Sequence, residues 1–159
     1  RLEAVPLEEG TENGIDKVAF MARTNPGMPQ GAISKIASGG ELARFMLALK
    51  VALAGTSPQR TLVFDEVDSG VGGAVAQAVG SRLRTLAATG QVLVVTHSPQ
   101  VAASGDHQWR ISKKAGRDST FTHVQELNPH EREEEIARML SGAEVNDAAR
   151  QAAVKLLEN

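Results

Sequence analysis

Two short apolar runs, each followed at once by polar residues, constrain the fold of this chain more than any other feature. Residues 61–64 (TLVF) run into two carboxylates, and residues 91–96 (QVLVVT) run into a histidine. Uninterrupted apolar runs of this length are typical of buried parallel strands. A helix is predicted between them, over residues 74–88, after a glycine-rich turn. Strand, helix and strand in this order predict a βαβ unit with a right-handed crossover, so we expect an α/β fold.

The remaining predicted elements surround this unit. Residues 2–6 are too ambiguous to assign, whereas residues 14–24 contain a β-favouring run between two turn signals. A helix over residues 41–53 begins directly behind two glycines. The other expected elements are a loop at 25–31, a β pair at 107–113 and 120–127 with a polar turn around Gly116, a helix from Asn128-Pro129 to Gly142, and a final helix from Asp147 capped by Asn146. We expect all 159 residues to form one domain.

Composition excludes several classes of protein. Hydrophobic residues make up 42% of the chain and charged residues 23%, a balance that excludes disordered and collagen-like chains. The formal net charge is -2, so no basic footprint indicates nucleic acid binding. The absence of cysteine excludes disulfides and thiolate metal sites.

The hydropathy pattern and the N-terminus bear on cellular context. No apolar run approaches the roughly 20 residues needed to span a bilayer, and no signal-peptide pattern is present. We therefore expect a cytoplasmic protein with no membrane partner. The chain begins with Arg1 rather than Met, which indicates a piece of a longer polypeptide.

The first candidate site lies where the helix at 41–53 begins. Ser38, Gly39 and Gly40 come directly before Glu41. A helix N-terminus presents unpaired N–H groups and the positive end of the helix dipole, so it accommodates a phosphate. The glycines allow close approach of the backbone, and the serine adds a hydroxyl donor. The alternative is an ordinary capping box, since S-x-x-E fits that pattern, and the two interpretations are compatible.

The second candidate site is the pair Asp65 and Glu66, at the end of an apolar strand. In open α/β sheets, ligands bind at the carboxyl edge of the strands. One carboxylate can hold Mg²⁺ through water while the other accepts a proton from an attacking water. Neighbouring side chains on a strand point in opposite directions, so the two residues can have separate roles. The alternative is a pair of solvated turn residues.

The third candidate is His97, at the end of the next apolar strand. An isolated histidine is usually a surface or core residue. His97, however, lies at the same carboxyl edge as the acidic pair and could reach the same phosphate. His107, His123 and His130 have no such position and are expected to be surface residues.

Taken together, the order and spacing of these features resemble the ABC ATPase superfamily over residues 33–98. The resemblance implies that the first site is the signature motif, which contacts ATP held by the opposite subunit. Its residues are Ser38, Gly39, Gly40 and Glu41.

The same resemblance assigns roles to the strand-end residues. It implies that Asp65 supports Mg²⁺ through water, that Glu66 is the catalytic base, and that His97 senses the γ-phosphate of ATP. The residues that follow the acidic pair would form the D-loop. These are Asp68, Ser69, Gly70, Val71 and Gly72.

Details within the motifs favour one branch of the superfamily. Transporter-type ATPases usually have Gln at the end of the signature and Pro-Thr after the acidic pair, whereas this chain has Glu41 and Val67-Asp68. These features resemble the SMC-related DNA-maintenance ATPases. Closer still, the chain resembles the RecN family of bacterial DNA-repair ATPases over nearly its whole length. The matching motifs are TNPG from residue 24, KIASGGELARFMLALK from 35, FDEVDSGVGG from 64, VTHSPQVAA from 95 and IARMLSG from 136.

This resemblance implies a fold and a function. The fold would be the C-terminal half of a P-loop NTPase head of ABC/SMC type, with parallel strands, flanking helices, a C-terminal β pair and two helices. The function would be DNA double-strand break repair and recombination by a homodimer that hydrolyses ATP, with Mg²⁺, between its two heads. The full protein would bind DNA ends or single-stranded regions at the bacterial nucleoid.

Two departures from the family pattern affect these expectations. No G-x-x-x-x-G-K-[ST] phosphate-binding loop occurs in the chain. The resemblance places that loop in an N-terminal Walker A lobe, separated by a coiled coil and absent here, so we expect this lobe alone to be inactive as an ATPase. The SMC D-loop usually ends in Asp, where this chain has Gly72, which puts any contact of that aspartate in doubt.

Two other functions remain open from the residues. One is an ATPase subunit of an ABC transporter, against which Glu41 and Val67-Asp68 argue. The other is a non-hydrolysing interaction module, against which the intact candidate residues argue. A cluster of basic residues could also touch DNA phosphates or form a solvated turn. These residues are Arg110, Lys113, Lys114 and Arg117.

Overall fold

The computed structural model of the chain describes residues 1–23, 26–27, 29–53, 61–115, 119–142 and 144–158. The strands are β1 (Leu2–Thr11), β2 (Gly14–Ala22), β3 (Gly31–Ala32), β4 (Thr61–Phe64), β5 (Gln91–Val94), β6 (Trp109–Ala115) and β7 (Thr120–Glu126). The helices are α1 (Ile33–Ile36), α2 (Gly39–Ala52), α3 (Gly73–Ala87), α4 (Pro99–Ala103), α5 (Pro129–Ser141) and α6 (Asp147–Leu157). The described residues leave out part of the TNPG motif and part of the predicted loop at 25–31. They also leave out the predicted turn at Gly116, together with Arg117.

The predicted βαβ unit is confirmed and forms the centre of the first hydrophobic core. Strands β4 and β5 pair in parallel, with Thr61 opposite Gln91 and Phe64 opposite Val94, and α3 connects them. Strand β5 ends at Val94 rather than at the predicted Thr96, although Val95 still donates to the Phe64 carbonyl at 2.9 Å. The buried members of this core are Leu47, Phe64, Val67, Ala76, Val79, Leu83, Leu86 and Val101.

The N-terminal strand is longer than its sequence indicated. Residues 2–6 were too ambiguous to assign, yet β1 extends from Leu2 to Thr11. It pairs antiparallel with β2, with a register irregularity between Pro6 and Thr11. Beyond this irregularity Thr11 pairs with Gly14, and this pairing rather than apolar periodicity marks the end of β1.

The C-terminal part confirms the predicted β pair and two helices. Strands β6 and β7 pair antiparallel, with Trp109 opposite Glu126 at one end and Ala115 opposite Thr120 at the other. Strand β6 thus begins two residues after the predicted His107. Asn128 caps α5 in a capping box with Glu131, and the side chain of Asn146 accepts a hydrogen bond from Ala149 N at 2.9 Å. Helices α5 and α6 enclose a second core, whose buried members are Ala103, Ile136, Ala137, Ala149 and Ala153.

Helix α4 is held on two sides. Gly80 of α3 faces it so closely that an added Cβ would lie 2.2 Å from Ser104 Oγ and 3.3 Å from the Gln100 carbonyl oxygen. On the other side, the Arg132 guanidinium of α5 donates to carbonyl oxygens at and beyond the end of α4, and burial lowers its pKa. The residues that supply these carbonyls are Ala102, Ala103, Gly105 and Asp106. Both contacts hold α4, which begins two residues after His97.

Among the described residues, no helix is both long enough and apolar enough to cross a membrane.

Candidate functional site

The N-terminus of α2 carries the predicted signature residues and a complete capping box. Ser38 Oγ accepts from the Glu41 amide at 3.4 Å, while the Ser38 amide and hydroxyl donate to Glu41 Oε2 at 2.8 and 2.9 Å. Donation from the Ser38 amide is the main reason that the pKa of Glu41 is lowered, followed by donation from the Ser38 hydroxyl. The predicted capping box is thus confirmed. Because the first amides of a helix lack intrahelical acceptors, the start of α2 can accommodate a phosphate at the exposed Gly39, whereas Gly40 is buried.

The two signature glycines differ in their surroundings. A Cβ added at Gly40 would lie 2.8 Å from the Ser69 carbonyl oxygen, 3.0 Å from Arg44 Nη1 and 3.2 Å from Ser69 Cβ. A Cβ added at Gly39 would meet Glu66 Oε2 at 3.6 Å, which is an ordinary contact. Gly40 is therefore required by packing between α2 and the predicted D-loop, whereas Gly39 is exposed. The sequence predicted ligand approach for both glycines and gave no sign of the packing role of Gly40.

The acidic pair lies immediately beyond the carboxyl end of β4. Asp65 and Glu66 are both exposed. Among the described residues, Glu66 is the only one other than glycine with a positive φ, which is 56°. Such a conformation is uncommon outside glycine and concentrates at functional sites. It brings the Glu66 carboxylate next to Gly39 at the start of α2 within one chain, a proximity that the sequence did not indicate.

His97 lies beyond the end of β5, the strand paired with β4, and its side chain is exposed. The neighbours of His97 are held by the predicted D-loop. The Thr96 hydroxyl donates to the Asp68 carboxylate, and the Ser98 amide donates to the same oxygen at 3.2 Å and to Thr96 Oγ1 at 2.9 Å. His97, Asp65 and Glu66 therefore lie at the same edge of the sheet, where β4 and β5 end.

The D-loop is fixed to α2 from the other side. Val67, which directly precedes it, is fully buried in the core. Arg44, on α2, donates from Nη1 to the Ser69 carbonyl at 2.8 Å and to the Val67 carbonyl at 3.4 Å. No role was predicted for Arg44 or Thr96, although each lies within a family motif, KIASGGELARFMLALK and VTHSPQVAA respectively. Their contacts join residues 23 to 28 positions apart, so the local sequence does not indicate them.

The remaining predicted D-loop residues form a turn that leads into α3. Gly70 has a φ of +72°, which favours glycine there. Val71 is half-buried, and its amide donates to the Asp68 carbonyl at 3.3 Å. Gly72 is the N-cap of α3, is exposed, and has open space where a Cβ would stand. An aspartate at this position, as in the related D-loops, would fit without a clash.

The described residues are compatible with nucleotide and metal binding as one part of a larger site. They contain no cluster of three or more His, Asp or Glu residues that could hold a metal ion. Mg²⁺ bound to nucleotide needs only one or two carboxylates, since water and phosphate oxygens supply the other ligands. The exposed Asp65 can serve as such a carboxylate, and the start of α2 at the exposed Gly39 suits phosphate.

The basic residues of β6 offer less support for DNA contact. Arg110 donates from Nη2 to Gln125 Oε1 at 3.0 Å and lies 3.9 Å from the buried Glu135 carboxylate. Lys113 and Lys114 are exposed, and Arg117 lies outside the described residues. His107, His123 and His130 are exposed, as predicted, and His107 lies 3.2 Å from Glu126.

Comparison with known proteins gives a consistent family. No protein-family model matches the chain. The chain is 47% identical over 98% of its length to the DNA repair protein RecN of Rickettsia felis, of which it covers 29%. It is 49% identical over 92% of its length to RecN of Xylella fastidiosa and 44% identical over 92% to RecN of Halalkalibacterium halodurans, covering 26% of each. The chain thus spans less than a third of the curated relatives that it matches.

A solved structure supports the fold. It comes from work on ATP-driven dimerization and DNA stimulated activation of SMC ATPases, and the TM-score is 0.56 at 20% sequence identity. The match covers 90% of this chain and 83% of the solved chain. This likeness confirms the expected α/β fold of ABC/SMC type. From its sequence identity to the curated relatives, the chain belongs to the RecN family and corresponds to the C-terminal part of its members.

Proposed function

We propose that this segment is the signature-bearing part of an ATPase head in a longer RecN-like protein. In that protein, a phosphate-binding loop outside this segment holds ATP, and the α2 N-terminus of a second head completes the site. The observation that carries the proposal is one arrangement at the edge of the β4–β5 pair. There, the capped N-terminus of α2, with its exposed Gly39, lies beside Glu66, on the sheet edge that also bears Asp65 and His97.

The residues of this segment would perform separate tasks in hydrolysis. Bound Mg²⁺ would neutralise charge on the transferred phosphate, and Asp65 would hold it through water. Glu66 would accept the proton of the attacking water, and His97 would contact the γ-phosphate. The Ser38 hydroxyl and the amides of Gly39 and Gly40 would stabilise phosphate charge from the second head.

The cellular role follows from the relatives. Those relatives are DNA repair proteins, and the solved neighbour comes from SMC ATPases described as dimerising with ATP and being activated by DNA. These similarities support a homodimer of heads that couples ATP to contacts with DNA during double-strand break repair. They do not favour the ABC transporter alternative. We also propose that the segment acts in the bacterial cytoplasm at the nucleoid and is inactive without its P-loop lobe.

The first test is turnover by the full-length protein that contains this segment. Glu66→Gln keeps the shape of the side chain but removes its basicity, so it should retain ATP binding while nearly abolishing hydrolysis. Glu144→Gln is the matched control, because Glu144 is exposed outside the site. Unchanged hydrolysis by the Glu66→Gln protein would remove Glu66 from the role of base.

The second test asks whether the signature works across the dimer. A protein with Ser38→Arg is mixed with a protein with Glu66→Gln, each inactive alone. If Ser38 acts on the partner's nucleotide, the mixture should recover about a quarter of the wild-type rate, because about half of the dimers are mixed and each holds one complete site. A mixture of Glu66→Gln with His97→Ala should recover nothing, since both residues serve their own head. No recovery in the first mixture contradicts action across the dimer.

A further inference from the structure

Helix α2 has two apolar sides, one of which faces the first core. Ala43, Leu47 and Val51 follow one another at intervals of four residues and belong to that core or pack against it. Leu42 and Met46 lie on the roughly opposite side of the helix, given 3.6 residues per turn, and they are 38% and 40% exposed. A helix that is apolar all round is normally buried, so we expect the second side of α2 to be covered in the complete protein.

The β1–β2 hairpin extends this second side of α2. The ring of Phe20, on β2, meets the ring of Phe45, on α2, edge to face with 5.3 Å between the ring centroids. Leu2 pairs with Phe20 in the strand register, and Val18 precedes Phe20 by two residues, so both share its face of the hairpin. Leu2 and Val18 are 59% and 58% exposed. We call this joint area the outer apolar surface, formed by Leu2, Val18, Phe20, Leu42, Phe45 and Met46.

Arg1 lies beside the outer apolar surface. The Met21 amide donates to the Arg1 carbonyl at 2.7 Å, and the Arg1 nitrogen donates to the Met21 carbonyl at 2.9 Å. Arg1 is thus paired with the residue that follows Phe20. The chain corresponds to the C-terminal part of its RecN relatives and covers 26–29% of their length, so most of their polypeptide precedes this point. A segment that leads into Arg1 therefore arrives about one strand spacing from β2, at the border of the surface.

We propose that the outer apolar surface is the docking site of the segment that directly precedes Arg1 in the longer protein. A covalently attached segment acts at a high effective concentration, so it occupies the surface ahead of a separate molecule of equal affinity. The residues that α2 contributes are uncharged, which favours an apolar protein segment over nucleic acid or an acidic peptide. Docking of this segment does not depend on the proposed chemistry, and it can be measured without ATP.

The surface also indicates the form of the docked segment. Leu42, Phe45 and Met46 are three and four residues apart on α2, a spacing that forms ridges able to pack into the grooves of another helix. We therefore expect the docked segment to be a helix with apolar side chains at the same spacing. A helix of about 15 residues matches the length of α2, so the contact should fall within about 25 residues before Arg1.

Photo-crosslinking in the full-length protein tests which segment covers the surface. The photoreactive residue p-benzoylphenylalanine replaces Met46, and the irradiated protein is digested and analysed by mass spectrometry. The main adducts should join position 46 to the stretch of about 25 residues before Arg1 of the same polypeptide. The matched control places the same residue at Gln77, an exposed position on α3, where no adduct with that stretch is expected. Replacement of Leu42 repeats the measurement at a second site, should the change at Met46 disturb folding.

The other crosslinking outcomes overturn the proposal. Adducts that join two polypeptides would show that a second copy covers the surface. Adducts in the P-loop lobe would assign the surface to that lobe. If neither position 42 nor position 46 forms an adduct, the surface stays in contact with water.

Oxidation by hydrogen peroxide tests the covering of Met46 without any substitution. The Met46 side chain is 40% exposed in this segment, which leaves its thioether open to the oxidant. If the preceding segment covers it, Met46 of the full-length protein should oxidise more than about tenfold more slowly than free methionine. Slow oxidation of Met139, which packs against the second core, shows that the protein stays folded during the measurement. Oxidation of Met46 within about tenfold of the free rate in the folded protein overturns the proposal.

Discussion

Replacing each of the two signature glycines by alanine separates packing from ligand approach. Both residues lie in the first turn of α2, so both substitutions gain a similar helix propensity, about 1 kcal/mol. That gain cancels in the difference between the two variants. What remains is the steric contribution, which comes from the 2.8 Å approach of the added Cβ to the Ser69 carbonyl in the Gly40→Ala variant. The Gly39→Ala variant has only the 3.6 Å contact with Glu66.

The size of this difference follows from the atoms involved. A backbone carbonyl cannot rotate away as a side chain can, so α2 and the D-loop must separate. Overpacking of this kind costs about 1–3 kcal/mol. We therefore expect the D-loop and the start of α2 to be that much less stable in Gly40→Ala than in Gly39→Ala.

Amide hydrogen exchange of the full-length protein measures this difference locally. A loss of 1–3 kcal/mol corresponds to exchange about 5 to 150 times faster in the D-loop and the first turns of α2. Peptides from β6 and β7 provide the internal control, since these strands pair with each other and contribute no described residue to the core that contains α2. Equal exchange rates in the two variants would refute the reasoning, because ligand approach alone would then explain both glycines.

Three further predictions concern other parts of the structure. Gly80→Ala should destabilise the α3–α4 contact by about 1–3 kcal/mol, since its Cβ would lie 2.2 Å from Ser104 Oγ. Thermal unfolding should show a lower midpoint, and an unchanged midpoint would contradict this prediction. Arg132→Met should cost about 1–3 kcal/mol, because it strips hydrogen bonds from carbonyls at the end of α4; hydrogen exchange there should accelerate, and wild-type exchange would count against it. The Glu41 carboxyl should titrate below the ordinary range of glutamate. Its stabilisation of α2 is therefore present above that range and is lost as the pH falls through the lowered pKa. An NMR titration of Glu41 checks this, and a midpoint at or above the ordinary value would refute it.

Those parts of the fold that depend on local pattern could be predicted from the sequence. Apolar runs and glycine turns located β4, α3 and β5, and the S-x-x-E pattern predicted the capping box at Ser38 correctly. These features are encoded within a few residues, so neighbouring side chains suffice to specify them. The end of β1 was not predictable in this way, since it is marked by the pairing of Thr11 with Gly14 of β2 rather than by apolar alternation.

Contacts between distant residues account for what the sequence could not reveal about the site. Arg44 meets residues 23 and 25 positions away, and Asp68 meets residues 28 and 30 positions away. Such contacts arise from hydrogen bonds between α2 and the segment that follows β4, and from the parallel pairing of β4 with β5. The positive φ of Glu66 was not predictable either, because glutamate does not favour this conformation. Assignment of the site residues therefore stays a prediction for the proposed experiments.

The short helix α4 has a consequence for dividing the molecule. Val101 belongs to the first core and Ala103, two residues later, belongs to the second. No cut between these cores can leave both halves with a closed apolar interior, since either half loses one side of its packing. A fragment that ends before α4, or one that begins after it, would expose apolar surface and tend to aggregate. Engineered boundaries or inserted tags are therefore better placed outside residues 39–157, because α2 supplies Leu47 to the first core and α6 supplies Ala149 and Ala153 to the second.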